Sequence, residues 1–248
     1  MPNEQLYPIL ISFGFASIPA IIWLYILFKK TKSSKKTAIL IFLLGCLTAP
    51  ALLLLQYFWE KFPEFNIAAF LENNIVEQNL KFVALFVLFG ALEEIIKHFV
   101  VKSVDKRTLL IKSIGDTVRY SLVAALGFAF AENIYYLMMF IQNSSLKELA
   151  GIYAFRSTIT TCAHMIFSGI FGLYYGFSKY AIYIAKQEST LGQTPGLNLF
   201  AKIFKLPKSY AFQKYMVFKG LTIAIILHAT YNFILQYNIV WPTIIFAI

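Results

Sequence analysis

Six long apolar stretches decide what this chain can fold into. They cover residues 6–28, 37–58, 82–101, 119–142, 152–178 and 216–237 of the 248-residue sequence. Hydrocarbon about 30 Å thick is crossed by roughly 20 apolar residues in a helix, the form in which a single segment satisfies its own backbone polar groups. The first two stretches contain no charged residue at all. The expected fold is all-α: a polytopic helical membrane protein of about six to seven transmembrane helices, forming one integral membrane domain over residues 1–248. The apolar tail from Ile239 to Ile248 is too short to span and is expected at the interface or folded back, with Trp241 as its anchor. Composition agrees. Only 14% of residues are charged and 59% are hydrophobic, against roughly 25% charged in soluble domains. Disorder, a secreted disulfide scaffold and an ordinary cytosolic enzyme are excluded.

The net charge of +10 suggests nucleic acid until its placement is considered. The first, third and fifth connections, residues 29–36, 102–119 and 179–214, hold most of the basic residues. Residues 59–79 hold Glu60, Glu64, Glu72 and Glu77 against Lys61. By the positive-inside rule the basic connections are cytoplasmic and both termini lie outside, in the cell membrane. The basic excess therefore reports topology, and no nucleic-acid partner is expected. The N-terminus lacks a basic n-region and a small-residue cleavage site, so the first span is expected to be retained. Cys46 and Cys162 both fall inside spans and form no disulfide or CxxC pattern. In the fifth connection, after Gly192, Pro195 and Gly196, a stripe of Leu199, Phe200, Ile203, Phe204 and Leu206 runs against Lys202, Lys205 and Lys208. It reads either as an amphipathic helix on an anionic leaflet or as a basic loop with some buried aromatics.

Ionisable residues inside spans carry the functional information, because each costs about 2.5 to 3.5 kcal/mol to insert at mid-membrane. The third span has Glu93, Glu94, Lys97 and His98; the fourth, Glu132 and Asn133; the fifth, His164 with Arg156 nearer its outer end; the sixth, His228 and Asn232. Glu93–Lys97, Glu94–His98 and His228–Asn232 are each four apart and share a helix face. At about 1.5 Å per residue, Glu94 and His228 lie roughly 12 to 13 Å from the flanking Lys102 and Lys219, and Glu132 and His164 roughly 20 Å from Arg119 and Lys179. One polar cluster between mid-membrane and the cytoplasmic side is compatible with this spacing. Singly, each group has a bland role: a self-neutralised Glu–Lys pair, a histidine or asparagine bonding a neighbouring helix, or Lys97 and Arg156 as charge partners. Together, three carboxylates and two histidines on four spans would cost on the order of 10 kcal/mol, more than decoration explains.

Several catalytic signatures are absent. The sequence has no HExxH and no GxSxG, and its Gly115-Asp116 lies in a cytoplasmic connection rather than a span. Ser168, one turn after His164, is an ordinary neighbour more readily than a nucleophile. Carboxylates and imidazoles remain. A glutamate can act as base on water, and an imidazole or carboxamide can donate to the oxyanion formed when that water attacks a carbonyl. The same side chains could instead hold Zn²⁺, with Glu94, Glu132, His164 and His228 as the candidate ligands. A proton-coupled transporter is the alternative of a different class, and an adaptor whose polar groups only bind helices together is a third.

The four stretches resemble the PrsW family of intramembrane proteases, distantly similar to CAAX prenyl proteases and bacteriocin-processing membrane enzymes. The resemblance lies in Glu93-Glu94-Ile-Ile-Lys97, in Phe128-Ala-Phe-Ala-Glu132-Asn133, in His164 on the next span and in His228-Ala-Thr-Tyr-Asn232, in that order over about residues 85–235. It implies an endopeptidase cutting membrane-anchored proteins, typically an anti-sigma factor during stress signalling, by a first, site-1 type cut. It also implies roles: Glu93 and Glu94 as the water-activating pair, with Glu94 favoured as base, and Glu132 as a second essential carboxylate. His164 and His228 would polarise the scissile carbonyl, Asn133 and Asn232 would orient these groups, and Lys97 would set carboxylate charge. Metal dependence stays open, and His98 lies outside the pattern.

Overall fold

The computed structural model describes residues 2–29, 31, 33–108, 111–141, 144–180 and 195–237. Among them every regular element is helical: α1 (Pro2–Phe28), α2 (Lys35–Cys46), α3 (Thr48–Lys61), α4 (Ile67–Asn74), α5 (Gln78–Thr108), α6 (Ile114–Phe140), α7 (Leu146–Phe155), α8 (Thr161–Lys179), α9 (Pro195–Ile203) and α10 (Lys208–Tyr237). A 3₁₀ turn (Pro63–Phe65) precedes α4, and a π-helical turn (Arg156–Thr160) joins α7 to α8. The protein is an all-α helical membrane protein. Tyr7–Phe28, Lys35–Lys61, Ile114–Phe140 and Tyr210–Gln236 are each long and apolar enough to cross a bilayer. The expected spans 82–101 and 152–178 fall on α5 and on α7–α8, which interrupt their apolar runs with the site residues. The tail around Trp241 and the break at Gly192 lie outside the described residues.

The expected second span, 37–58, is interrupted at Leu47 between α2 and α3. Pro50 accounts for this, since it offers no N–H to the Cys46 carbonyl and its ring crowds that carbonyl. The Thr48 hydroxyl donates instead to Gly45 O at 2.5 Å. Side-chain caps start the other helices. Ser34 and Ser113 accept from the N–H of Thr37 and Asp116, and Ser145 forms a reciprocal box with Glu148. The Ser145 N–H holds the Glu148 carboxyl below the usual carboxylate range.

Helix α6 is the axis of the fold. Tyr120, Val123, Ala124 and Ala125 are fully buried on it, and it packs against α1, α2 and α8. Between membrane helices the driving force is close packing rather than water exclusion, so small residues mark the contacts. A Cβ on Gly45 would stand 2.5 Å from Ala124 O, and one on Gly172 would stand 2.7 Å from Thr117 O and Ser121 Oγ. Both crossings therefore require glycine. Helix α10 lies against α8 and α5, which completes a four-helix group of α5, α6, α8 and α10. Near one end Asp105 of α5 ties α8 in place, accepting from Tyr175 Oη at 2.6 Å and from Lys179 Nζ at 2.7 and 2.8 Å.

The stripe of the fifth connection divides between its two readings. Leu197 is buried with Ala211, Phe212 and Met216 of α10, and the Phe200 ring meets Tyr215 and Phe218 at 5.8 and 6.0 Å. Leu199 and Ile203 of α9 stay exposed, as does Phe204 just after it, whose ring packs on Phe200. Helix α10 begins at Lys208, eight residues before the expected start of the last span, because α9 packs on that added length.

Candidate active site

Glu93, Glu94 and Lys97 lie on one turn of α5, Glu132 and Asn133 on α6, His164 on α8 and His228 on α10. The four helices bring the expected catalytic residues into one cluster, with the His164 and His228 rings edge to face at 5.1 Å. It contains two carboxylate–histidine pairs. In the first, Glu94 Oε1 lies 3.0 Å from His228 Nδ1 and 2.6 Å from Lys97 Nζ, while Ser168 Oγ donates to Oε2 at 3.0 Å. A carboxylate oxygen only accepts, so Nδ1 of His228 carries a proton, and in the neutral ring Nε2 keeps its lone pair. Both Glu94 oxygens are engaged, and Glu94 and His228 are almost wholly buried.

In the second pair, His164 Nε2 lies 3.1 Å from Glu132 Oε2, and His164 Nδ1 lies 3.2 Å from Lys97 Nζ. An ammonium only donates. Nδ1 therefore accepts from Lys97, and the Nε2 proton goes to Glu132. Arg156 approaches the same Oε2, with Nη2 at 2.8 Å in an ion pair that is off line for a hydrogen bond. Its Nε donates to Asn133 Oδ1 at 3.1 Å. Asn133 in turn donates to Thr161 Oγ1 at 3.3 Å.

Glu93 differs from both. Its Oε2 is buried and accepts no hydrogen bond. It faces His228 Nε2 at 3.6 Å and Lys97 Nζ at 3.8 Å, too far for either to donate effectively. A carboxylate oxygen and an imidazole lone pair thus face each other across a gap, an arrangement that calls for a cation or water between them. One donor atom from each of Glu93, His164 and His228 lies within 4.8 Å of the others. A cavity of about 690 Å³ leads away from the cluster. Glu93, Glu132, His164, His228 and Asn232 line its inner end, and Trp59, Glu60 and Glu72 line the end near α3 and α4. The cavity thus extends from the cluster towards the acidic connection, the side expected outside.

The family described as "PrsW family intramembrane metalloprotease" matches residues 33–248. The chain belongs to this family. Protease PrsW of Clostridioides difficile (strain 630) is 25% identical over 245 residues, 95% of this chain and 84% of that protein. No solved structure matches the chain. A membrane-embedded peptidase, with a membrane-embedded protein as substrate, follows for a PrsW-family chain. The transporter and adaptor alternatives fall away.

The family description names a metal, and the donor set fits one. Catalytic zinc is commonly held by two histidines and a carboxylate with a fourth position open, and ligating histidines usually donate their other ring N–H to a carboxylate or carbonyl. Here Glu94 and Glu132 take those outer hydrogen bonds, which leaves Glu93 as the carboxylate of the inner set and His164 Nδ1 as its second nitrogen, a lone pair that Lys97 Nζ must give up to a metal. This differs from the sequence expectation of Glu94 and Glu132 as ligands. Asn133 bonds Arg156 and Thr161 rather than a histidine. His98 stands apart, its ring edge against Phe171 and its Nε2 without a hydrogen-bond partner. The sequence reading passed over Ser168 as a site residue and left Arg156 without a named partner. The available signals were a serine one turn from His164 and a cation inside a span.

Proposed function

We propose that the protein is a metal-dependent intramembrane endopeptidase in which Glu93, His164 and His228 hold a divalent ion, zinc by the chemistry of the set. The unbonded Oε2 of Glu93, facing the Nε2 lone pair of His228, carries this reading. With every carboxyl ionised and both histidines neutral, Glu93, Glu94 and Glu132 outnumber Lys97 and Arg156 by one negative charge, which favours a cation. The bound metal would supply Lewis acidity to the scissile carbonyl and the attacking water.

The chain supplies the remainder. Arg156 and His164 both approach Glu132 at Oε2, and Glu132 also lines the cavity. Its Oε1 accepts the proton of the attacking water and returns it to the departing amine. Glu94 holds the His228 ring and its proton in place, and Lys97 and Ser168 hold Glu94. The base role thus moves from Glu94, whose oxygens are both engaged, to Glu132. Asn232, on the cavity wall one turn after His228, orients the substrate carbonyl. The substrate is a membrane-anchored protein of the anti-sigma-factor kind. It is cut from the outer side of the cell membrane, towards which the cavity extends past Glu60 and Glu72, with both termini of this chain outside.

A second reading has its own support. Lys97 Nζ already places positive charge beside Glu93 and His164, so Glu93 could act on water without a metal, the histidines then steadying the oxyanion. Purified protein tests both readings with a membrane-anchored substrate. Loss of cleavage on chelation, restored by zinc and accompanied by one bound metal that Glu93→Gln abolishes, is the expected result. Full cleavage by metal-free protein would overturn the metal-dependent reading in favour of the second. Undiminished cleavage by both Glu93→Gln and Glu132→Gln would overturn both.

A further inference from the structure

Arg156 belongs to none of the four motifs, yet among the described residues it is the cation lining the cavity. Its surroundings are built for an arginine. Nη2 pairs with Glu132 Oε2 at 2.8 Å, Nε donates to Asn133 Oδ1 at 3.1 Å, and the guanidinium carbon sits 3.6 Å from the Tyr136 ring centroid. Positions 132, 133 and 136 share one face of α6, so a planar cation engages all three at once. The backbone closes the loop. Thr161 Oγ1 accepts from Asn133 Nδ2 and donates to Arg156 O at 2.8 Å.

The π-helical turn Arg156–Thr160 makes this register available. Along an uninterrupted α-helix, eight residues at about 100° each would leave Arg156 about 80° around the axis from His164. A turn with i→i+5 bonding holds one more residue per turn, at roughly 80° each, and takes up most of that offset. Arg156 and His164 then approach the same oxygen of Glu132 from one helix line.

We propose that Arg156 is a positioning residue of the peptidase site: through Glu132 and Asn133 it fixes the carboxylate of α6 against His164, and the π turn exists to place it. The proposal rests on the reading of Glu132 as proton acceptor. It predicts an effect on turnover without one on metal binding or substrate affinity, since Arg156 is absent from the inner donor set.

The test uses the full-length protein in detergent micelles with a labelled single-span transmembrane reporter that the unaltered protein cuts. Arg156→Lys keeps the charge and gives up the planar fork. It should lower kcat about 10²-fold, the scale of a misplaced catalytic group, with KM within about twofold and with unchanged metal content and melting temperature. Arg156→Gln added to Glu132→Gln should cost little beyond Glu132→Gln alone, because both changes remove one unit. This double variant removes both members of the Arg156–Glu132 ion pair together, so the question stays open to test even where Arg156→Gln alone fails to fold. Four results would overturn the proposal: full kcat in Arg156→Lys, a rise in KM at constant kcat, loss of metal from Arg156→Lys, or independent losses in the double variant. If Glu132→Gln is itself fully active, the proton-acceptor reading falls and this proposal with it. If Glu132→Gln is inactive and Arg156→Lys active, only this proposal falls.

Discussion

The site contains the same device twice. Glu94–His228 and Glu132–His164 are each a carboxylate against an imidazole, each joining two different helices, and Lys97 touches both. Their surroundings differ. Glu94 is 2% exposed, with its two oxygens divided among Lys97, His228 and Ser168. Glu132 is 14% exposed on its side chain and lines the cavity, with its pairs gathered on one oxygen. A saturated, sealed carboxylate can hold a ring but has no lone pair to offer a substrate's water. A carboxylate with one oxygen toward a cavity can. Burial and hydrogen-bond saturation, rather than residue type, divide holding from chemistry here.

Glu93 stands between the pairs, and its replacement gives the largest expected effect. Glu93→Gln removes the charged oxygen that faces His228. It should abolish both bound metal and cleavage, measured by metal analysis and reporter cleavage on one preparation. Retained metal with lost cleavage would transfer Glu93 from the holding side of the comparison to the chemical side. Glu132→Gln comes next. The amide oxygen can still accept from His164 but cannot take a proton, so kcat should fall about 10²- to 10⁴-fold, the usual worth of a general base, and should stay low at saturating zinc. Glu94→Gln should act through His228 instead, weakening metal affinity about 10- to 100-fold, as outer hydrogen bonds to ligating histidines do. Excess zinc should recover much of its cleavage and none of that of Glu132→Gln. Equal rescue of the two variants would erase the distinction between the pairs.

Much of this was legible in the sequence. Spans show in runs of apolar residues because a bilayer imposes a length, and site residues show because hydrocarbon penalises every ionisable side chain that lacks a purpose. Glu93, Glu94, Glu132, His164 and His228 stood out on that penalty, together with Lys97, His98 and Arg156. The division of labour among them did not. Whether Glu93 or Glu94 keeps a free oxygen depends on which way adjacent side chains of α5 turn, and that is set by Ser168 and His228 on other helices. The π turn was hidden as well, since one extra residue in a turn leaves no compositional trace in Arg156–Thr160. The break at Leu47 did have a signal in Pro50, three residues on, but proline is common enough in membrane helices that its presence alone did not divide the span.

Ser168→Ala gives the smallest expected effect and still bears on the comparison. The hydroxyl donates to Glu94 Oε2 at 3.0 Å from α8, so its removal takes one partner from the sealed pair and touches nothing that lines the cavity. A hydrogen bond to an ionised group is worth about 1.5 to 3 kcal/mol, whereas interhelical hydrogen bonds in membrane proteins average about 0.6 kcal/mol. If Glu94 is held as a carboxylate, unfolding in detergent should show a loss nearer the first figure, with kcat changed only a few-fold because Glu132 is untouched. A loss near 0.6 kcal/mol would mean that Glu94 is held no more firmly than a neutral side chain. The sealed pair would then lack the charge that sets it in opposition to Glu132.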